Sequence, residues 1–248
     1  MKTHRATIAF VSFLCLLASV ASARDPDQQI PALKPEVQTA AWAQAWWMPR
    51  HKEKLEGLKK QEKIDLIMIG DSITHGWENG GRKVWDKYYA KRNAFNLGFS
   101  GDRTENVLWR LQHGAVDGIS PKLAIIMIGT NNAGHRQDKA EDTAAGVKAI
   151  VEQLRTRLPN MKILVLAIFP RGKDAADGLR QLNDATNKIL AGYADNQHVY
   201  YLDVNSKFLE DGGVLPAALM PDLLHPNEKG YEIWAEAMEP TVKQLMGE

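Results

Sequence analysis

IDLIMIGDS at residues 64–72 and LAIIMIGTNN at residues 123–132 share one plan: an apolar run, a glycine, then a cluster of polar residues. A strand wetted on one face alternates apolar and polar residues, whereas a strand covered on both faces is apolar almost throughout. Both stretches therefore read as central strands of a parallel sheet. Three further runs, at residues 94–99, 162–170 and 199–204, fit the same description. Helical patterns lie between them. In residues 141–158, Val147, Ile150, Val151, Leu154 and Leu158 recur at helical spacing, and Pro159-Asn160 ends the pattern. A last helix is predicted from about Pro226, because proline suits the first helical position. Alternating strands and helices predict an α/β chain, a three-layer α/β/α sandwich around a central parallel five-stranded sheet. Sites in such sheets form at the carboxyl ends of the strands.

The 248 residues suit one domain with an N-terminal extension. Lys2 and Arg5, the apolar stretch 8–20 and Ala21-Ser22-Ala23 read as an export signal cleaved after Ala23. The stretch falls short of the roughly 20 residues of a spanning helix, so no integral membrane span is expected after cleavage. The expected product is secreted or periplasmic. Cleavage also removes Cys15, the single cysteine, and with it any disulfide. Lys+Arg of 31 against Asp+Glu of 30, without a basic run, gives no sign of nucleic-acid binding. Residues 24–35 read as a tail and 36–60 as helical, which leaves 61–248 as the main domain. Trp42, Trp46 and Trp47 are expected to pin their segment to the domain, with stacking on a sugar as the alternative role.

Four polar clusters follow the predicted strands. Gly70-Asp71-Ser72 puts a serine where a helix begins, and backbone N–H groups there favour developing negative charge. The plainer role for Ser72 is a helix cap. Gly101, in the cluster 98–102, lets the backbone approach a ligand and offers an N–H, or simply turns the chain. Asn131 and Asn132 follow the third strand; an asparagine amide can donate to an oxyanion, and asparagine pairs also make turns. Asp222 lies three residues before His225, so a carboxylate can orient an imidazole that titrates near neutrality. A surface Asp–His pair is the alternative. Pro226 biases His225 away from helical geometry and onto a loop. The loop 205–221 before it is rich in glycine and proline.

Taken in order, GDS at 70–72, Gly101, GTNN at 129–132 and DxxH at 222–225 resemble the blocks of the SGNH hydrolases, the GDSL esterase/lipase superfamily. The likeness spans about residues 64–240. NLGFSGDRTENVLWRLQHG, PKLAIIMIGTNNAGH and FPRG at 169–172 resemble most closely the catalytic subunits of intracellular platelet-activating-factor acetylhydrolases. The resemblance implies a flavodoxin-like SGNH fold. It implies Ser72 as nucleophile, His225 and Asp222 as the rest of a triad, and Ser72 N–H, Gly101 N–H and the Asn131 side chain as oxyanion donors. It also implies no cofactor and a non-catalytic Asn132. The export signal and the tryptophan-bearing segment depart from that likeness.

The expected activity is hydrolysis of short-chain O-acyl esters, O-acetyl foremost, on a small or polymer-borne substrate, with carbohydrate preferred to lipid. Ile73 and Leu224, beside the nucleophile and base, are expected to narrow the acyl pocket. The alternatives are a lysophospholipase or lipid acetylhydrolase, and a catalytically silent glycan-binding module that would have no need of a serine–histidine pair. A metal-dependent hydrolase is disfavoured: His51, His75, His113, His135 and His198 lack metal-ligand spacing. A structural role is expected for these histidines; His75 and His135 follow two of the blocks, and a place in the cleft is the alternative for that pair.

Overall fold

The computed structural model describes residues 29–248. The export-signal reading, Cys15 included, lies outside the described residues. Five strands, β1 (Leu66–Gly70), β2 (Ala94–Gly98), β3 (Leu123–Met127), β4 (Lys162–Leu166) and β5 (Val199–Leu202), form one sheet in the order β2-β1-β3-β4-β5. Every pairing is parallel. The chain lays β2 on one side of β1 and then crosses back to lay β3 on the other. A topological switch point therefore falls between β1 and β3.

Alternate side chains of each strand enter two separate cores. Ile67, Ile69, Ala124, Ile126, Ile163 and Val165 pack with α1 (Trp47–Lys60), α4 (Thr104–Gln112), α5 (Ala140–Arg157) and α6 (Gly178–Leu190). Leu66, Met68, Ile125, Met127, Leu164 and Leu166 pack on the other face with the short helices α2 (Ser72–His75) and α3 (Arg82–Tyr88), and with α7 (Glu228–Met246). Double coverage explains the unbroken apolar runs, since every residue of the central strands β1 and β3 is buried on one side or the other. Full burial of each Leu or Ile contributes about 1.5–3 kcal/mol.

The apolar runs outlast the strands. Ile128, Ala167, Ile168 and Phe169 have left the ladder but stay at most 2% exposed, because the chain passes beneath covering helices before reaching the surface. Two helix starts differ from expectation. The N-terminal helix begins at Trp47, not at residue 36. Pro49 sits in its first turn, where the missing N–H has no helical partner anyway. Residues before it satisfy their backbone groups on α4 instead. Glu36 N–H donates to Glu105 O, Asn106 Nδ2 donates to Glu36 O, and Thr104 Oγ donates to Ala32 O. The last helix begins at Glu228, two residues after the expected first position Pro226, and Asn227 is its cap, accepting from Gly230 N–H at 3.1 Å.

Gly146 marks where the N-terminal segment presses on α5. A Cβ there would overlap Thr104 Oγ and lie 2.8 Å from Ala32 O. In a free helix interior, alanine is preferred to glycine by roughly 0.5–1 kcal/mol. Gly146→Ala should reverse that sign and lower the urea midpoint; a raised midpoint would mean that the segment yields without loss.

Candidate active site

β1 and β3 end side by side, with Gly70 paired to Met127. A Cβ on Gly70 would collide with the Met127 carbonyl and the Thr74 side chain, so only glycine lets the chain turn here. Asp71 follows, fully buried, and its Oδ1 accepts from Ile73 N–H at 3.0 Å. The cap of α2 is therefore Asp71. Ser72 is the first helical residue, and its hydroxyl is free for another partner. Burial pushes the Asp71 carboxyl up to about 7, against the pull of the Ile73 N–H. The helix expected after Ser72 is a single turn. Tyr231 of α7 bolts that turn down by donating to Ile73 O at 2.7 Å.

The Ser72 hydroxyl meets His225 Nε2 at 2.8 Å across 153 residues of chain. His225 Nδ1 lies 2.6 Å from Asp222 Oδ2. An ionised carboxylate only accepts, so Nδ1 carries the proton and Nε2 accepts from Ser72. Asp222 Oδ1 also accepts from the backbone N–H groups of Leu224 and His225. Burial raises the Asp222 carboxyl, but the hydrogen bonds from His225 outweigh it and hold the group below its usual range. The turn between the two residues holds Leu223 at φ +59°, the left-handed region that a branched residue seldom occupies. Gly172 N–H donates to Leu223 O at 2.9 Å and braces that turn from the FPRG loop.

The second and third blocks are tied together. Asn131 Nδ2 donates to Asp102 O at 3.0 Å, which occupies one of its two amide protons. Asn132 turns the other way: its Oδ1 accepts from Thr104 N–H and its Nδ2 donates to Asp138. Gly101 has φ +75°, and a Cβ there would overlap the Trp42 ring. The expected donors Ser72, Gly101 and Asn131 thus sit on the loops leaving β1, β2 and β3. Ile73 is 1% exposed and packs in the core, so it is turned away from the cleft, whereas Leu224 is half-buried beside His225.

Several supporting residues lie in or near those sequence stretches, but no local pattern marks their partners. Asp102 is wholly buried, and it accepts from Trp47 Nε1 at 2.6 Å and Arg110 Nε at 2.9 Å. Burial pushes its carboxyl up to about 6, while Arg110 and the Trp47 N–H pull the other way. Gln38 Nε2 donates to Gly101 O at 3.0 Å. Arg171 Nη1 donates to Thr130 O at 2.9 Å, one residue before Asn131. The tryptophans divide their roles. Trp47 is 1% exposed and pins its segment, while Trp42 is 52% exposed.

A hydrogen-bonded serine–histidine–aspartate line at the carboxyl edge of a doubly wound parallel sheet suits a serine hydrolase, and the family match makes the class a carboxylic ester hydrolase of the SGNH type. The chain belongs to the GDSL-like lipase/acylhydrolase family, whose model matches residues 68–233. It is 32% identical over 203 residues to the human platelet-activating factor acetylhydrolase IB subunit alpha2, covering 82% of this chain and 86% of that one. The human alpha1 subunit is 30% identical over 222 residues, covering 89% and 93%. Among solved structures, a GDSL-like lipase from Bacteroides thetaiotaomicron superposes with a TM-score of 0.62 at 19% identity, covering 79% of this chain and 97% of that one. An acetylxylan esterase from Geobacillus stearothermophilus gives 0.59 at 20% identity, covering 76% and 97%.

His75 Nδ1 meets Ser100 Oγ at 2.9 Å, and burial holds its pKa down to about 4, with Arg50 adding to the shift. Burial and Arg110 bring His51 to about 4 as well. Unfolding returns both to about 6.5, so the unfolded chain binds more protons between about pH 4 and 6.5. Stability should therefore fall as pH drops through that window. His75→Gln should flatten part of the slope in urea titrations at pH 4.5 and 7; an unchanged slope would show that His75 titrates alike in the folded and unfolded chain.

Proposed function

We propose that this chain is an exported serine esterase that removes short acyl groups, acetyl foremost, from carbohydrate hydroxyls. One observation carries the reading: Ser72 Oγ, His225 and Asp222 are joined by hydrogen bonds of 2.8 and 2.6 Å. Ser72 Oγ attacks the acyl carbon while His225 Nε2 takes its proton. Asp222 holds the ring in the required tautomer and stabilises the imidazolium. The oxyanion is received by the N–H groups of Ser72 and Gly101 and by the second amide proton of Asn131. His225 then protonates the departing alcohol. Water attacks the acyl-enzyme with His225 again as base, which releases the acid and restores Ser72.

The acetyl preference draws on relatives and structural neighbours alike, the acetylhydrolase subunits and the acetylxylan esterase. Leu224, half-buried next to His225, is the side chain we assign to limiting a longer acyl group. Export draws on the signal-like residues 1–23, and it would place the enzyme among polymers too large to import. Among the described residues no helix is long and apolar enough to cross a membrane. A lipid acetyl ester is the second reading, favoured by the 32% identity to the acetylhydrolase subunit.

Ser72→Ala should lower kcat by on the order of a million-fold with the circular dichroism spectrum unchanged. Retained activity would remove Ser72 from the mechanism. Asn131→Ala should cost roughly 10²–10³ in kcat with little change in KM. A normal kcat with a raised KM would make it a ground-state binder.

Chain length decides between the substrate readings. An open apolar pocket gains about 0.8 kcal/mol per buried methylene, so rates would rise with length. A closed pocket reverses that trend. For acetyl, butyryl and octanoyl esters of one alcohol, kcat/KM should fall in that order; a rise would favour the lipid reading.

A further inference from the structure

The proposed mechanism leaves Trp42 and Trp46 unused. Trp42 is 52% exposed, although an indole is among the most favourable side chains to bury. Its position is nonetheless fixed. Its ring edge rests on Gly101, where a Cβ would overlap it. Trp46 stacks on it with centroids 6.2 Å apart and planes 26° apart, and Trp46 Nε1 donates to Trp42 O at 3.1 Å. Trp46 is half-buried and packs against the small core of Ala43, Trp47 and Phe99, but the main anchoring of the segment lies elsewhere. That task falls to Trp47, through Asp102, Phe99 and Trp109, and to Gln38.

The pair reaches all three strand-end loops. Trp46 lies 6.0 Å from the His75 ring, three residues beyond Ser72. Trp42 lies on Gly101 and 6.2 Å from the His135 ring, four residues beyond Asn131. A pre-positioned aromatic surface thus adjoins the loops that carry the expected nucleophile and oxyanion donors, flanked by two polar imidazoles.

We propose that Trp42 and Trp46 form a subsite for the alcohol half of the ester, a pyranose ring that stacks on the indoles while the imidazoles of His75 and His135 meet its hydroxyls. The chemistry selects this ligand. An indole face is electron-rich and attracts the positive edge of C–H bonds, which a sugar ring presents in a plane. Hydroxyls at the ring's rim need hydrogen-bond partners, and both imidazoles are held toward the neutral form by burial; Ser100 occupies His75 Nδ1, which leaves Nε2 of that ring for a hydroxyl. An alkyl chain would instead call for apolar walls, and the ring neighbours here are imidazoles. Fixing the platform in advance reduces the ordering cost of binding. The inference rests on the carbohydrate esterase reading and names the residues that would recognise its substrate.

The test uses O-acetylated xylo-oligosaccharide and the full chain. Trp46→Ala, which leaves the Gly101 contact in place, and Trp42→Phe should each raise KM severalfold. Trp42→Ala should raise it about tenfold or more, the scale of a lost aromatic contact plus its burial. In each case kcat should change much less than KM. In the Ser72→Ala background, the same substitutions should weaken calorimetric binding of deacetylated xylo-oligosaccharide by similar factors. A fall in kcat with KM unchanged would mean that Trp42 only props Gly101, and overturns the subsite. Unchanged kinetics in all three variants, with the wild type still cleaving the acetylated sugar, overturns the subsite and leaves the esterase reading intact. A wild type that cleaves acetyl alkyl lipids but not the acetylated sugar overturns the carbohydrate reading, and the subsite with it.

Discussion

Where β1 lies between β2 and β3, three chain ends leave the sheet within two strand spacings, each about 4.8 Å. Gly70 is level with Gly98 on one side and Met127 on the other. The rest of the site hangs on this parallel register. A slip of one residue would turn Leu66, Met68 and their neighbours into the wrong core, so the burial that holds the sheet also fixes where its loops emerge. Glycine at both 70 and 98 lets α2 sit directly on the strand ends. A Cβ at Gly98 would overlap the backbone of His75.

The fourth block reaches the others from a distance. Asp222 and His225 ride on a turn that lies 150 residues beyond Ser72 in the chain and is half open to solvent. Their position is set by backbone bonds: Asp222 accepts from His225 N–H, and Gly172 N–H holds Leu223 O. Leu223 at φ +59° is a local strain that these bonds sustain. The strain keeps the carboxylate, the ring and the serine in one line, and Tyr231 holds the serine's turn from α7.

Asp102 joins the sheet to the N-terminal segment. Its carbonyl receives Asn131, and its carboxylate receives Trp47 and Arg110. A buried carboxylate with these partners is costly to lose, because removing one group strands the others. Gln38 and Trp42 then touch Gly101 from the same segment. The extension is thus part of the architecture around the strand ends, in contact with the loop that follows β2.

The sequence by itself determined the five strands, their parallel pairing and the positions of the four polar blocks. Apolar runs and glycine–polar junctions are local patterns, and double burial leaves them unmistakable at residues 64–72 and 123–132. Helix starts at Trp47 and Glu228 were less legible, because Pro49, Asn227 and the docking of residues 29–46 compete with propensity. Only the tertiary structure decided that Asp71 caps the turn instead of Ser72, that Ile73 faces the core, and that Trp47 is buried while Trp42 stays exposed. Adjacent tryptophans look alike in a one-dimensional string. Their roles separate once Asp102, fully buried and needing a donor, takes the Trp47 indole N–H and turns Trp42 outward onto Gly101. Such partners lie 55 to 153 residues apart, and no local pattern encodes a hydrogen bond across that distance.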